Sequence, residues 1–269
     1  NSVTIEASAV TPNAHIQRKR AARSLKPSAR VKFQDPDTIA SSRSTIPSKI
    51  NISGIINNMK KLFTAIQKND MVTVKTLLNK SPELISCTLK GTPKKYDGQS
   101  PLQVALKDSS TEMIELLLEY HPDVNFIEDE SCANTWRAPV IHDAINRAIM
   151  YSRWNVNRLD GLEVYNTKEE ADAAFAILNK LISLGADVNA KDSFGNACID
   201  RACLQARQIL PAQGSNDRIL TSELHFDINR IFNILVTNGA DLTYIAPNAF
   251  GKTYIEQYKN ESVEEFLHL

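Results

Sequence analysis

Five histidines, four cysteines and 31 acidic side chains are the groups in this 269-residue chain that could move a proton, attack a carbonyl or hold a metal. Their spacing supports none of these. His15, His121, His142, His225 and His268 stand far apart, and no HExxH, GxSxG, P-loop or GxGxxG pattern occurs. Among Cys87, Cys132, Cys198 and Cys203 no pair has CxxC spacing. Cys198 and Cys203 lie five apart on one helical pattern, a poor geometry for zinc. The thiols read as buried and reduced, as in a cytosolic-type protein. Cys132 and Cys203 have no base that the sequence pairs with them. Asp143 and Asp160 lie among basic residues with no second carboxylate at fixed spacing, and a solvated surface is expected for both. No catalytic residue, metal ligand or cofactor is assigned.

A second kind of chemistry is contact through large side chains. Four short polar segments carry them: Lys94–Asp97, Asn134–Arg137, Lys191–Phe194 and Pro247–Phe250. Aromatic and arginine side chains dominate interfaces because they bury much area with few rotors. Tyr96, Trp136, Arg137, Lys191, Phe194 and Phe250 are therefore candidate partner contacts, Trp136 and Phe194 first. Arg153 and Trp154, in the run Tyr151-Ser152-Arg153-Trp154-Asn155, form another candidate anchor. Each aromatic has a structural alternative. The tip aromatics can pack on their own loops, and Tyr151 and Trp154 can extend the preceding helix and pin the segment to the body.

The elements that must position these residues are helical. Met59, Leu62, Phe63 and Ile66 recur at i, i+3, i+4 and i+7, which predicts an amphipathic helix. Val72, Val74, Leu77 and Leu78 predict a second, with Asn69-Asp70 as turn and N-cap. The helix–turn–helix pairing then recurs. Its second helices end in LLEYHPDVN (117–125), LISLGADVN (181–189) and LVTNGADLT (235–243). Gly185 and Gly239 fall where a helix stops in a left-handed cap, and the Asp that follows is placed to bond the turn. His121-Pro122 replaces Gly-Ala, so that turn is expected to be built differently. First helices begin in GQSPLQVA (98–105), PVIHDA (139–144), GNACIDRA (195–202) and GKTYIEQY (251–258).

These residues resemble the ankyrin repeat, with consensus G-x-T-P-L-H-x-A and then L-L-x-x-G-A-D-V-N. The resemblance runs over about 59–269. It implies an all-α ankyrin-repeat solenoid of about five repeats with short β-hairpin-like tips. A single repeat cannot bury its apolar face, so neighbours stack into one core. His142 falls on the consensus His, for which the resemblance implies a structural hydrogen bond between repeats. The departure is in spacing. The first-helix alanine recurs at Ala65, Ala105, Ala144 and Ala202, then as Tyr258, against a regular period of about 33. The surplus predicts long insertions inside the third and fourth repeats, at about 150–170 and 206–225.

Charge divides the chain. Residues 1–50 hold nine Lys/Arg against three Asp/Glu, and the rest is acidic by the same margin, since the net charge is zero. Segment 1–50 is expected to be basic and mostly disordered, and 51–269 to be the repeat domain. An acidic body argues against nucleic-acid binding, and no stretch is long and apolar enough to span a membrane. The basic residues 18–32 read as a solvated tail or as a nuclear-localisation, anionic-surface or targeting signal. The last fourteen residues, EQYKNESVEEFLHL, set acids before apolar residues. They resemble the signal of Dot/Icm-type type IV secreted bacterial effectors, with an amphipathic capping helix as the alternative.

The resemblance implies a protein–protein interaction module that binds through its concave face and hairpin tips. As a secreted bacterial effector it would meet a host protein in the host cytoplasm or nucleus; otherwise it is cytoplasmic. The alternatives are an enzyme with its site in the insertions 150–170 and 206–225, and an immunity or regulatory protein that binds a cognate toxin or enzyme.

Overall fold

The computed structural model describes residues 52–268, except 92, 93, 129 and 131–133. The basic segment 1–50 and Cys132 lie outside the described residues. Five helical pairs follow one another. They are α1 (Ile52–Gln67) with α2 (Met71–Lys80), α3 (Pro101–Asp108) with α4 (Thr111–Leu118), and α5 (Val140–Met150) with α6 (Lys168–Ser183). Then come α7 (Cys198–Ala206) with α8 (Ser222–Thr237), and α9 (Tyr254–Gln257) with a 3-10 turn at Glu264–Leu267. First helices stack in one row, α1 on α3, α3 on α5 and α5 on α7. Second helices stack in another, α4 on α6 and α6 on α8, with the last 3-10 turn packed on α8. None of the described helices is long and apolar enough to cross a membrane.

Local chemistry explains the ends of these helices. The Asp70 side chain accepts the Thr73 N–H and so caps α2. Ser100 with Gln103, and Thr253 with Glu256, form reciprocal capping boxes. Ala105, Ala144 and Ala202 are buried where first helices lie side by side. Tyr258 takes the equivalent place in the last pair, and its hydroxyl donates to Asp200 Oδ1 on α7 at 3.0 Å. Val72, expected on the apolar stripe of α2, is exposed instead; Val74 and Leu78 supply that stripe.

The turns after α4, α6 and α8 share one backbone. Gly185 and Gly239 have φ of +92° and +91°, and His121 has φ of +52°. Each donates its N–H to the carbonyl three residues back, of Ile182, Val236 and Leu118 respectively. The expectation that His121-Pro122 builds a different turn is thus corrected. His121 accepts the left-handed conformation that glycine adopts freely, and Pro122, lacking an N–H, forgoes the second bond that Ala186 and Ala240 make. After each turn an Asp closes the loop: Asp123, Asp187 and Asp241 accept the N–H two residues on.

The Asn of this motif ties neighbours together. Asn125 donates to Gly185 O at 2.9 Å and accepts from Asp187 N at 2.8 Å. Asn189 repeats both bonds one pair later, to Gly239 O and from Asp241 N, each at 2.8 Å. One side-chain amide thus satisfies both sides of the next turn, and the register survives the insertions between these pairs.

Strand structure lies elsewhere than expected. The tips carry one isolated bridge, Ile127 with Pro139, among the described residues. The regular strands are β1 (Asn155–Arg158) and β2 (Gly161–Val164), an antiparallel hairpin inside the first long insertion. Adjacent tips do pack closely. A Cβ on Gly195, which has φ of +82°, would meet the Pro247 ring at 2.8 Å. Gly195→Ala is therefore expected to cost about 1–3 kcal/mol, from strain and clash together. An unchanged chemical-denaturation midpoint would show that the two tips separate freely.

Candidate partner-binding surface

The expected contact residues divide into buried, tethered and free. Tyr96 is only 4% exposed, because a 3-10 turn at Lys94–Tyr96 directs its hydroxyl to donate to the Asp108 carboxylate. It belongs to the core, not to a contact surface. Lys95 pairs with the same Asp108 at 3.2 Å.

Trp136 is tethered and half-buried. Its Nε1 donates to Asp192 Oδ2 at 2.8 Å, and the Arg201 guanidinium lies 4.8 Å from its ring. Asp192 also accepts from the Asn196 side chain, the Asn196 N–H and the Phe194 N–H. Burial pushes the Asp192 carboxyl up, but the hydrogen bonds from Trp136 and Asn196 outweigh it and hold it below the usual range. The Arg137 N–H donates to Ser193 Oγ and its carbonyl accepts from the Ser193 N–H, each at 3.0 Å, while its guanidinium pairs with Glu130 at 3.6 Å. Lys191 sits 3.8 Å above the Tyr244 ring and stays exposed.

Phe194 and Phe250 are the free pair. Phe194 is 49% exposed and Phe250 97%, so neither is packed away on its own loop. Phe250 also has φ of +52°, a backbone conformation unusual for an aromatic residue. Their tips adjoin: Tyr244 donates to Gly195 O at 2.8 Å, and Asn248 Nδ2 to Asn196 Oδ1 at 3.4 Å.

Arg153 and Trp154 serve the fold. Arg153 donates to both Asp227 oxygens on α8, through Nε at 2.8 Å and Nη2 at 3.0 Å. Trp154 stacks on Tyr165 with centroids 4.1 Å apart, and its Nε1 donates to Met150 O. The alternative of pinning the insertion therefore describes them better than an open partner anchor does. The two insertions also bind each other. Asn155 exchanges two bonds with Ile219, and Asn157 N donates to Asp217 O at 2.7 Å.

His142 makes the bond that the resemblance implied, Nε2 to Ala190 O at 3.1 Å, and burial holds its ring down at about 4. Burial likewise pushes the Cys87 thiol up to about 12 and raises Cys198 and Cys203. All three are free thiols without a nucleophile's environment. Among the described residues no group of three His, Cys, Asp or Glu is placed to hold a metal. Of the C-terminal segment, Phe266 and Leu267 are buried, and Leu269 lies outside the described residues.

Sequence reasoning missed a polar cluster behind the tips. Asp143, expected at the surface, is 2% exposed and Glu128 3%. Lys107 lies 3.6 Å from Glu128 and 3.5 Å from Asp143. Gln103 donates to Asp143 at 3.3 Å, and Gln99 to Glu128 at 2.7 Å. Burial raises the Asp143 carboxyl to about 6, with Lys107 opposing and Glu128 reinforcing the shift. The i, i+4 spacing of Gln103 and Lys107 on one face of α3 is the signal that could have found it. A cavity of about 240 Å³ opens beside this cluster, between the Lys94–Asp97 and Asn134–Arg137 tips.

Residues 97–126, from the first of these tips through α3 and α4, match a family model described as Ankyrin repeat. Ankyrin repeats generally mediate protein–protein interaction. No curated protein matches the chain.

Proposed function

We propose that the chain is a protein-binding module whose partner docks on the row of tips, with Phe194 and Phe250 as its apolar anchors. The carrying observation is that Phe250 stands almost wholly in solvent and Phe194 about half so, on adjoining tips, while Tyr96 and Trp136 are engaged within the chain. An exposed aromatic held by a rigid backbone loses little freedom on binding, so most of its buried area becomes affinity. Arg137 and Lys191, at the rim of the same surface, would tune partner choice and on-rate.

The finer reading, a secreted bacterial effector with a host partner, rests on the C-terminal acids. Phe266 and Leu267 are committed to the core, so in the folded chain these two apolar residues are not presented to a receptor. Against the enzyme reading, Arg153 and Asn155 of the first insertion are spent on holding α8 and the second insertion.

The test uses partners selected from a displayed library against the whole chain. Phe194→Ser and Phe250→Ser are each expected to weaken the selected partners about tenfold or more with melting temperature unchanged. Partners that bind both variants as tightly as the parent would place the docking surface elsewhere.

A further inference from the structure

We propose that the cavity between the Lys94–Asp97 and Asn134–Arg137 tips receives an arginine side chain of the protein partner, held by Glu128 and Gln99. This rests on the docking face proposed above and names one chemical feature of the partner.

The argument starts with an amide that lacks a donor. Gln99 is 1% exposed and lines the cavity. Its Nε2 donates to Glu128 Oε1 at 2.7 Å, which fixes the amide orientation, since the reverse would set two oxygens against each other. Gln99 Oε1 then has no hydrogen-bond partner. A buried carbonyl oxygen without a donor is costly, and such groups in native proteins need a reason.

Glu128 supplies the second half. Both of its contacts, from Gln99 and from Lys107, fall on Oε1 and neither on Oε2. The unpartnered acceptors of the lining residues Gln99 and Glu128 are therefore one amide oxygen and one carboxylate oxygen, both deeply buried beside the cavity. The lining carries two ammonium groups, Lys95 and Lys107, and one carboxylate, Glu128. Both ammoniums are already paired, Lys95 with Asp108 and Lys107 with Glu128 and Asp143, so three carboxylates share two cations around the cavity. A cation with several N–H groups matches this set, and the planar fork of a guanidinium can serve two neighbouring oxygens at once.

The wall of the cavity is Trp136. The chain already places a guanidinium beside this indole: Arg201 lies 4.8 Å from the ring and donates to Asp192 at 3.4 Å. The proposed site repeats the combination of indole, carboxylate and guanidinium within the same tip region, with the guanidinium supplied from outside.

The experiment titrates the full chain with N-acetyl-arginine amide, following the two indole N–H signals by NMR. N-acetyl-citrulline amide, a neutral isostere, and N-acetyl-lysine amide are the comparison probes. The expected result is a saturable shift of Trp136 alone, with Trp154 unmoved, and binding about tenfold weaker for citrulline and for Glu128→Gln. Glu128→Gln keeps an acceptor for Gln99. Should it fail to fold, the arginine–citrulline comparison on the parent chain decides alone. No saturable shift, equal binding of citrulline or lysine amide, or an unaltered Glu128→Gln would overturn the proposal, a water molecule then being the expected donor to Gln99. Failure here with Phe194→Ser still weakening selected partners removes the arginine site only. Failure of both removes the docking face as well.

Discussion

Phe266→Ala is expected to lower stability by about 3–5 kcal/mol, the range for emptying a fully buried aromatic site. Phe266 has no exposed surface, stacks against Phe232 on α8 with centroids 5.7 Å apart, and meets the His225 ring at 5.2 Å. In a domain of this size each kcal/mol moves the melting temperature by about 2–4 °C, so a fall of roughly 6–20 °C is expected. Stacked repeats contact only their neighbours, so the damage should be local. Amide exchange should quicken across α8 and the Glu264–Leu267 turn and stay unchanged in α3 and α5. Unaltered melting and unaltered exchange together would mean that the C-terminal residues are not part of the core. They would then be free to act as a signal, and the effector reading would regain its footing.

The parts of the fold legible in the sequence were those fixed by local backbone chemistry. Gly185 and Gly239 announce a left-handed turn because no other residue adopts it so cheaply. Ser100-Pro101 announces a helix start, because the hydroxyl and the missing N–H both suit a first turn. His121 departs from that rule, which ranks residues by cost: its φ of +52° and its N–H bond to Leu118 O reproduce the turn without glycine. Asn125 bonds the Gly185–Asp187 turn, so that turn is enforced by the preceding pair as well as by its own sequence. Interactions of this range leave no local mark. The hairpin of β1 and β2 was hidden likewise, since residues 155–164 carry mixed polar and apolar side chains and one edge is held by residues from the other insertion.

The contact surface was legible by residue type and not by role. Trp136 and Phe194 have equal claim by composition, yet the indole N–H found Asp192, 56 positions away, while the phenyl ring stays about half exposed. A ring with a polar handle is drawn into whatever network lies near, whereas a phenyl ring is buried only where space is shaped for it. Tyr96 follows the first rule and Phe250 the second. Asp143 reversed the expectation for charge, because its partners Lys107 and Gln103 come from the preceding pair.

That buried Asp143 gives the second large effect, and its sign follows from linkage. Its folded pKa, about 6, lies above the ordinary aspartate value of 3.8. Between those values the folded chain binds more protons than the unfolded one, so stability falls as pH rises. The contribution is complete below about pH 4 and lost above about pH 6, to a magnitude of up to roughly 3 kcal/mol. His142, its neighbour, works in the opposite sense. Its pKa is held at about 4, below the ordinary 6.5, so its contribution is present above 6.5 and lost as pH falls toward 4. The two partly cancel in the parent chain, and a single melting curve against pH would show little. The difference between Asp143→Asn and the parent removes the His142 part. Asparagine resembles the protonated acid, keeping an oxygen for Gln103 and leaving Lys107 to Glu128. The variant should therefore be the more stable chain at pH 7.5, by about 1–3 kcal/mol, with the advantage fading toward zero by about pH 4. A difference that does not change with pH would mean that the carboxyl titrates normally and is not enclosed between α3 and α5. A difference of opposite slope would mean that Lys107 outweighs burial and that the pair stabilises the stack at neutral pH.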